Sequence, residues 1–354
     1  MNKSSPRCRR RSPWSAIVYG GALCSCLGAL WSGTGPSPAA PDKAAATRTP
    51  VDRAGNHAAA SLKSNGPGRL LTFPADVSVG RLVLLDDNFS LTNRHLGGRP
   101  LGEARGLVRV PVGKPIMLIA ADTLTDRSQC LDALPADALA AIVLDRTTMG
   151  DEQIAHMKHL TGLKYADFHG TDLSDKGLVN LAALGNLGYL DISHTMLHGL
   201  TLDCLRKLNK LQFLDIGFNT LDHRAFADLA KLHAPHLTFL HLSAAAISDG
   251  DLGCLAAFPE INQIQMTDNK GISDRGMPAL RVCKKLIALD VRRTAVTLKG
   301  IFVLKGLPLY SLTLTVAAPL IEDEKKLRAL IPGINICYDH PPKNAPKELF
   351  APLH

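Results

Sequence analysis

The feature that most constrains this chain is a leucine period. Leu139, Leu163, Leu187, Leu211, Leu237, Ile261, Leu286 and Leu309 open eight units, at steps of 24, 24, 24, 26, 24, 25 and 23 residues. The first half of each unit reads L-x-x-L-x-L, as in Leu187-Gly188-Tyr189-Leu190-Asp191-Ile192. The second half carries apolar residues at helical spacing, such as Leu178, Leu181 and Leu184. Each unit therefore predicts one short strand, a turn and one helix. Neither element can bury its apolar side alone, so the units must stack. The predicted fold is an α/β solenoid, with a parallel sheet on one side, helices on the other and leucines between. Strands pack at about 4.8 Å and helices at roughly 10 Å, which should put the sheet on the concave side.

The turn chemistry agrees with this plan. Eight residues after each first leucine stand Thr147, Thr171, Thr195, Asn219, Ala245, Asn269, Thr294 and Ala317. Hydroxyl and amide groups there can satisfy backbone groups freed at a strand end. Ser174, Ser248, Ser273 and Thr297 follow as helix N-caps, with Asp175, Asp249 and Asp274 where a helix N-terminus favours negative charge. The phrases LSDKGLVNL, ISDGDLGCL and ISDRGMPAL resemble the bacterial and F-box-associated cysteine-containing class of leucine-rich repeats, over about residues 139–336. The stretches FPADVSVGRLVLLDD and LGEARGLVRVPVGK also resemble an N-terminal β segment found ahead of such repeats in exported bacterial proteins. The resemblance implies protein recognition by the concave sheet.

Five sections are expected along the chain. Residues 1–31 pair a basic stretch with an uncharged run of 18 residues, residues 14–31, which reads as a signal peptide or a membrane anchor. Within it, Leu23-Cys24-Ser25-Cys26 resembles a lipoprotein signal that would leave Cys26 lipidated, although Cys24 departs from the usual residue there. Residues 32–67, rich in Pro, Ala, Gly and Ser, read as a flexible linker. Residues 68–130 should be a small β domain, with a hairpin turning at Pro111-Val112-Gly113-Lys114. Residues 131–340 should hold the repeats, and 341–354 a tail. Export then follows, to a periplasmic, cell-surface or membrane-anchored position, with membrane contact only through the N-terminus.

Charge excludes one partner class. The whole chain stands at +8, but residues 1–31 carry five basic residues and no acid, so the remainder stands at +3 with mixed signs. No basic stripe remains to follow a nucleic-acid backbone. Of the cysteines, Cys130, Cys204, Cys254, Cys283 and Cys337 lie beyond the signal; an odd number at irregular spacing is no disulfide framework. Cys204 and Cys254 sit two units apart, too far to pair. His194 with His198, and His233 with His236, could hold a metal on paper, but no third ligand follows. No phosphate loop or nucleophile elbow is present, so neither an enzyme nor a cofactor is expected.

The candidate site is the outer face of the sheet. Third, fifth and seventh positions of each unit point away from the core. The third carries Tyr165, Tyr189, Phe213 and Phe239; the fifth carries Asp167, Asp191, Asp215, His241, Gln265 and Asp290; the seventh carries His169 and Arg292. An aromatic row beside an acidic row would suit a basic protein partner, bound by a monomer. The competing explanation is cross-strand stabilisation, because neighbouring rings stack and aspartate at the fifth position is common in this repeat class. Two further functions compete with the binding scaffold. LPADALAAIVLD from Leu134 resembles the opening of an F-box, and a surface structural protein would need no single partner.

Overall fold

Each leucine period becomes one rung of a ladder. The computed structural model describes residues 68–315 and 321–339. The signal or anchor, the linker, Cys26 and the tail lie outside the described residues. The chain divides into two units, Leu62–Thr92 with Leu96–His354, and Met1–Ser61 with Asn93–His95. The first unit holds every element described below.

Nine parallel strands follow the repeats: β6 (Ala141–Val143), β7 (Tyr165–Asp167), β8 (Tyr189–Asp191), β9 (Phe213–Asp215), β10 (Phe239–His241), β11 (Gln263–Gln265), β12 (Ala288–Val291), β13 (Ser311–Leu314) and β14 (Asn335–Tyr338). Their register is uniform: Ala141, Tyr165, Tyr189, Phe213, Phe239, Gln263, Ala288, Ser311 and Asn335 are successive partners. The seven opening leucines and Ile261 are all buried. The rung at β14 lies one unit beyond the eight in the sequence period. Leu139, Ile142 and Leu144 belong to the first rung, which sets the F-box reading aside.

The second half of most units is less regular than expected. Short α-helices form at Asp151–Ala155, Asp175–Leu181, His223–Leu229 and Leu298–Ile301. The units between carry 3-10 turns instead, at Leu202–Lys207, Asp249–Ala257 and Met277–Val282. A unit of about 24 residues leaves little chain for its return path, and the tighter winding covers more distance per residue.

The caps do more than end helices. Ser174 and Thr297 accept backbone N–H groups of their own helices, as predicted. Their own N–H and hydroxyl groups then donate to an aspartate one repeat earlier. Ser174 donates to Asp151 at 2.8 and 2.6 Å, and Thr297 to Asp274 at 2.7 Å twice. Ser273 does the same to Asp249. Charge-assisted bonds of this kind tie each unit to its neighbour. The threonines and asparagines at the turns also behave as predicted. Thr171 donates to the Phe168 carbonyl, and the Asn219 amide bridges the Ile192 and Ile216 carbonyls of two adjacent rungs.

Residues 68–130 differ from the expected small domain. β2 (Gly80–Leu84), β3 (Arg99–Glu103) and β5 (Ile116–Ala120) extend the repeat sheet, in the order β6-β5-β2-β3. β5 pairs parallel with β6, so the sheet of 12 strands crosses residue 130 without a break. The hairpin predicted at residues 111–114 does not form. β4 (Leu107–Pro111) pairs with β1 (Gly68–Thr72) in a separate ribbon, while both edges of β5 are taken by β2 and β6. The chain turns where predicted, but its two sides enter different sheets.

Candidate outer-face site

Alternation along each rung sends third- and fifth-position side chains to the face opposite the leucine core. The aromatic row forms as drawn from the sequence. Tyr165 stacks on Tyr189 at 3.9 Å between ring centroids, Tyr189 on Phe213 at 4.2 Å and Phe213 on Phe239 at 4.5 Å, all within 11° of parallel. Strand spacing imposes this near-parallel stacking. The expected exposure, however, is absent. Tyr165 and Tyr189 are 0% exposed and Phe213 is 3% exposed; Phe239 alone is half-buried.

A second apolar cluster covers the row. Val83 and Leu85 from β2 and the residues after it, Met117 from β5 and Ala141 from β6 join the three buried rings, with Phe89, Leu91 and Leu96 packed against them. These last three belong to the long connection between β2 and β3, residues 85–98. A connection of this length without regular structure is unusual in a tight sheet. One glycine marks its seat. A Cβ on Gly188 would lie 2.5 Å from Leu91 Cδ1, so a larger residue there would collide with the cover. Neighbouring rungs carry Lys164, Gln212 and Thr238 at this position; β8 alone among these four carries glycine.

The acidic row is turned inward as well. Asp191 and Asp215 are fully buried and Asp167 nearly so. Each accepts the N–H of the residue two positions on: His169 at 3.0 Å, Ser193 at 3.0 Å and Gly217 at 2.9 Å. Asp290 accepts from Arg292 N–H in the same way, and its carboxylate also takes the Arg292 guanidinium at 2.7 Å. The aspartates thus close the bend at each strand end. Carboxylates held in this way are not displayed to a basic partner.

The bend itself has a backbone signature. Arg146, Gly170, His194, Phe218, Ala244, Asp268 and Arg293 occupy one position in seven successive units, and all have positive φ between 48° and 67°. A left-handed bend is uncommon for residues other than glycine. It is maintained because each N–H reaches a partner in the next unit, for example His194 to Gly217 O at 3.1 Å and Phe218 to Ser243 O at 2.6 Å. The column shares no side-chain chemistry, so no sequence pattern marks it. It throws His194 and Phe218 outward, where their rings stack at 4.1 Å.

One relay in this face has the connectivity of a hydrolase triad. Asp215 Oδ2 lies 2.5 Å from His241 Nδ1, and His241 Nε2 lies 2.7 Å from Ser243 Oγ. In the tautomer that donates Nδ1–H to Asp215, Nε2 accepts the Ser243 hydroxyl. Distances suit nucleophilic chemistry, but access does not. Ser243 is 0% exposed, and its oxygen accepts the Thr267 N–H from the next rung. The relay ties three rungs together.

The remaining sequence candidates divide by position along the sheet. His169 is half-buried beside Ser193 Oγ, and His241, Gln265, Asp290 and Arg292 are half-buried on β10 to β12. From β10 to β13 the outer face is polar: Gln263, Gln265, Asp290, Arg292 and Thr313 all keep part of their surface in solvent. Of the paired histidines considered for a metal, His194 stacks on Phe218 and His198 Nδ1 lies 3.3 Å from Thr220 O. Among the described residues no three His, Cys, Asp or Glu side chains are grouped for a metal ion. The five described cysteines are free thiols; burial, with Asp251 and Cys283 nearby, pushes Cys254 up to about 12.

No protein-family model and no curated protein matches the chain. Among solved structures it is similar to internalin C2 of Listeria monocytogenes, at 24% identity over 56% of this chain and 80% of that one, with a TM-score of 0.46. It is also similar to internalin F of the same organism, at 12% identity over 60% and 75%, with a TM-score of 0.30. Scores this low carry no argument about function, and the leucine-rich-repeat fold rests on the ladder of register pairs itself.

Proposed function

We propose that this chain is a binding scaffold that engages a protein partner through the polar half of its outer sheet face, β10 to β13. The carrying observation is the contrast in exposure along one continuous sheet. Gln263, Gln265, Asp290, Arg292 and Thr313 keep part of their surface in solvent on adjacent rungs, whereas the aromatic half is covered. Rigid rungs fix these side chains in rows, so a partner pays little ordering cost on this side. Phe239 and His241 border the polar half and supply its apolar edge. Asp290 and Arg292 neutralise each other, which removes the reason to expect a basic partner.

Export and tethering belong to the same reading and are supported by the basic, apolar and small-residue order of residues 1–31, followed by a Pro- and Ala-rich spacer. Such a tether would let a monomeric scaffold present its sheet away from a membrane. Among the described residues no helix is long and apolar enough to cross one.

Site-specific photo-crosslinking tests the surface. A photoreactive residue at Gln265 or Thr313, in the native host, should yield a discrete protein adduct. The same probe at Val179, exposed on the helix Asp175–Leu181, should yield none. Adducts at Val179 without adducts at Gln265 and Thr313 would refute the assignment.

A further inference from the structure

We infer that the rim of β10 carries a notch for a single arginine side chain of the protein partner, its guanidinium stacked on Phe218 and bonded to Asp268.

The notch follows from the left-handed column at the strand ends. Each backbone N–H in it is tied to the next unit: Phe218 to Ser243 O at 2.6 Å, Ala244 to Thr267 O at 2.8 Å and Asp268 to Arg292 O at 3.0 Å. Adjacent members therefore stand one strand spacing apart, ~4.8 Å. The order along this part of the column is His194, Phe218, Ala244, Asp268 and Arg293. Four of these five side chains end in a planar group, and Ala244 ends in a methyl. Two residues further on, the same units carry Met196, Thr220, Ala246 and Lys270, so β10 presents a second alanine beside the first. The column thus lacks one planar member. Between Phe218 and Asp268 lie two strand spacings, about 10 Å, which is room for one flat group between a ring and a carboxylate.

Both walls of the gap suit a guanidinium. Phe218 gives one face to His194, at 4.1 Å and 11°. His241 meets the ring nearly perpendicular, at 6.0 Å, and Phe218 remains 40% exposed. A flat cation laid on such a ring is attracted to its π face. Asp268 already serves a guanidinium from the following rung, since Arg293 Nη1 lies 3.3 and 3.2 Å from its two oxygens. Those contacts are long, because Arg293 also reaches Asp339 at 3.1 Å. A carboxylate has about four acceptor sites, so Asp268 keeps capacity for a second donor from the preceding rung.

Charge selects the occupant. The ion pairs at this end of the rim link Asp268, Asp290 and Asp339 to Arg292 and Arg293, three carboxylates to two guanidinium groups. One negative charge is left over. An aromatic side chain would stack on Phe218 and leave that charge unanswered, and a lysine would answer it without stacking as a plane. The inference concerns one side chain and not a basic surface, so it agrees with the mutual neutralisation of Asp290 and Arg292. It rests on the scaffold reading and names what a partner inserts at the border of β10 to β13.

The probes are three blocked tripeptides, acetyl-Gly-X-Gly-amide with X arginine, lysine or citrulline, titrated against the full chain and followed by ligand-detected NMR. Citrulline keeps the plane and removes the charge. The arginine peptide should bind, and the other two should bind about threefold more weakly or less. Ala244→Phe should abolish binding by filling the notch. The backbone tolerates it, since Phe218 adopts the same left-handed conformation one rung earlier. A second measurement needs no ligand. Ala244→Arg places the chain's own guanidinium in the notch, at a column position that Arg146 and Arg293 show to accept arginine. Its denaturation midpoint should exceed that of Ala244→Gln, and Asp268→Asn should erase the difference. Equal binding of the three peptides, no binding of any, binding that survives Ala244→Phe, or a midpoint for Ala244→Arg no higher than for Ala244→Gln overturns the proposal. No native partner enters these tests. Adducts at Gln265 together with equal binding of the three peptides would keep the scaffold surface and remove the notch; arginine-selective binding without adducts would do the reverse.

Discussion

The two halves of the outer face are built from the same repeat and do opposite things. On β7 to β9 the third and fifth positions are Tyr165, Tyr189, Phe213 and three aspartates, all buried or nearly so. On β11 and β12 the same positions are Gln263, Ala288, Gln265 and Asp290, all partly exposed. The ladder and its register do not change between them. What changes is the partner for the outward row: a segment of the same chain in one half, solvent in the other. A repeat array fixes where side chains point, and a distant segment decides whether that direction is interior.

The largest effect expected from this contrast is at the third position. Tyr189→Ala removes a fully buried ring stacked on both sides, and large-to-small changes of this kind cost about 3–5 kcal/mol. Gln263→Ala, at the equivalent place on β11, should stay within about 0.5 kcal/mol. Denaturant midpoints of the two variants check the difference. Equal midpoints would mean that the aromatic half is no more interior than the polar half. Alanine at Tyr165, Tyr189 and Phe213 together is for this reason a stability experiment before it is a binding experiment.

The fifth position should show a smaller contrast of the same sign. Asp215 is buried and accepts from Gly217 N–H and His241, so Asp215→Ala leaves a buried N–H and an imidazole without their acceptor. A cost of about 2–3 kcal/mol is expected. Gln265→Ala, two rungs along, should change stability by less than about 0.5 kcal/mol. The same denaturant series reads both, and a near-neutral Asp215→Ala would show that the bend at the strand end needs no carboxylate.

The ladder was legible in the sequence because its information is local. A leucine two dozen residues from the last needs only its own unit to place it on the inner side, and the Thr or Asn at the turn acts on carbonyls within reach. The cover was not legible, because it depends on residues 85–96 meeting rungs about 80 to 130 positions later. Two signals were nevertheless present: a row of four outward aromatics that water would solvate poorly, and Gly188 standing where neighbouring units have long side chains. The aspartates misled for a related reason. Their type and spacing are the same for a displayed acidic row and for one closing strand bends, and only burial separates the two. The left-handed column from Arg146 to Arg293 left no trace, since acceptors in the next unit, carbonyls for all but Arg293, enforce it whatever the side chain.

The finest way to sharpen the comparison is Gly188→Ala. The added methyl points away from the leucine core, so in a naked sheet it would be harmless, and a glycine removed from a strand would even favour folding. Under the cover it meets Leu91 Cδ1 at 2.5 Å and must push that side chain aside. The end of a leucine is mobile enough to yield, so the net cost should be about 1 kcal/mol. The cost should vanish when Leu91 is also shortened to alanine, because the two changes relieve each other. A double-mutant cycle of Gly188→Ala and Leu91→Ala, read by denaturation, measures this coupling. Additive effects would mean that Leu91 does not sit on β8, and with that the distinction between a covered and an open half of the sheet would lose its physical basis.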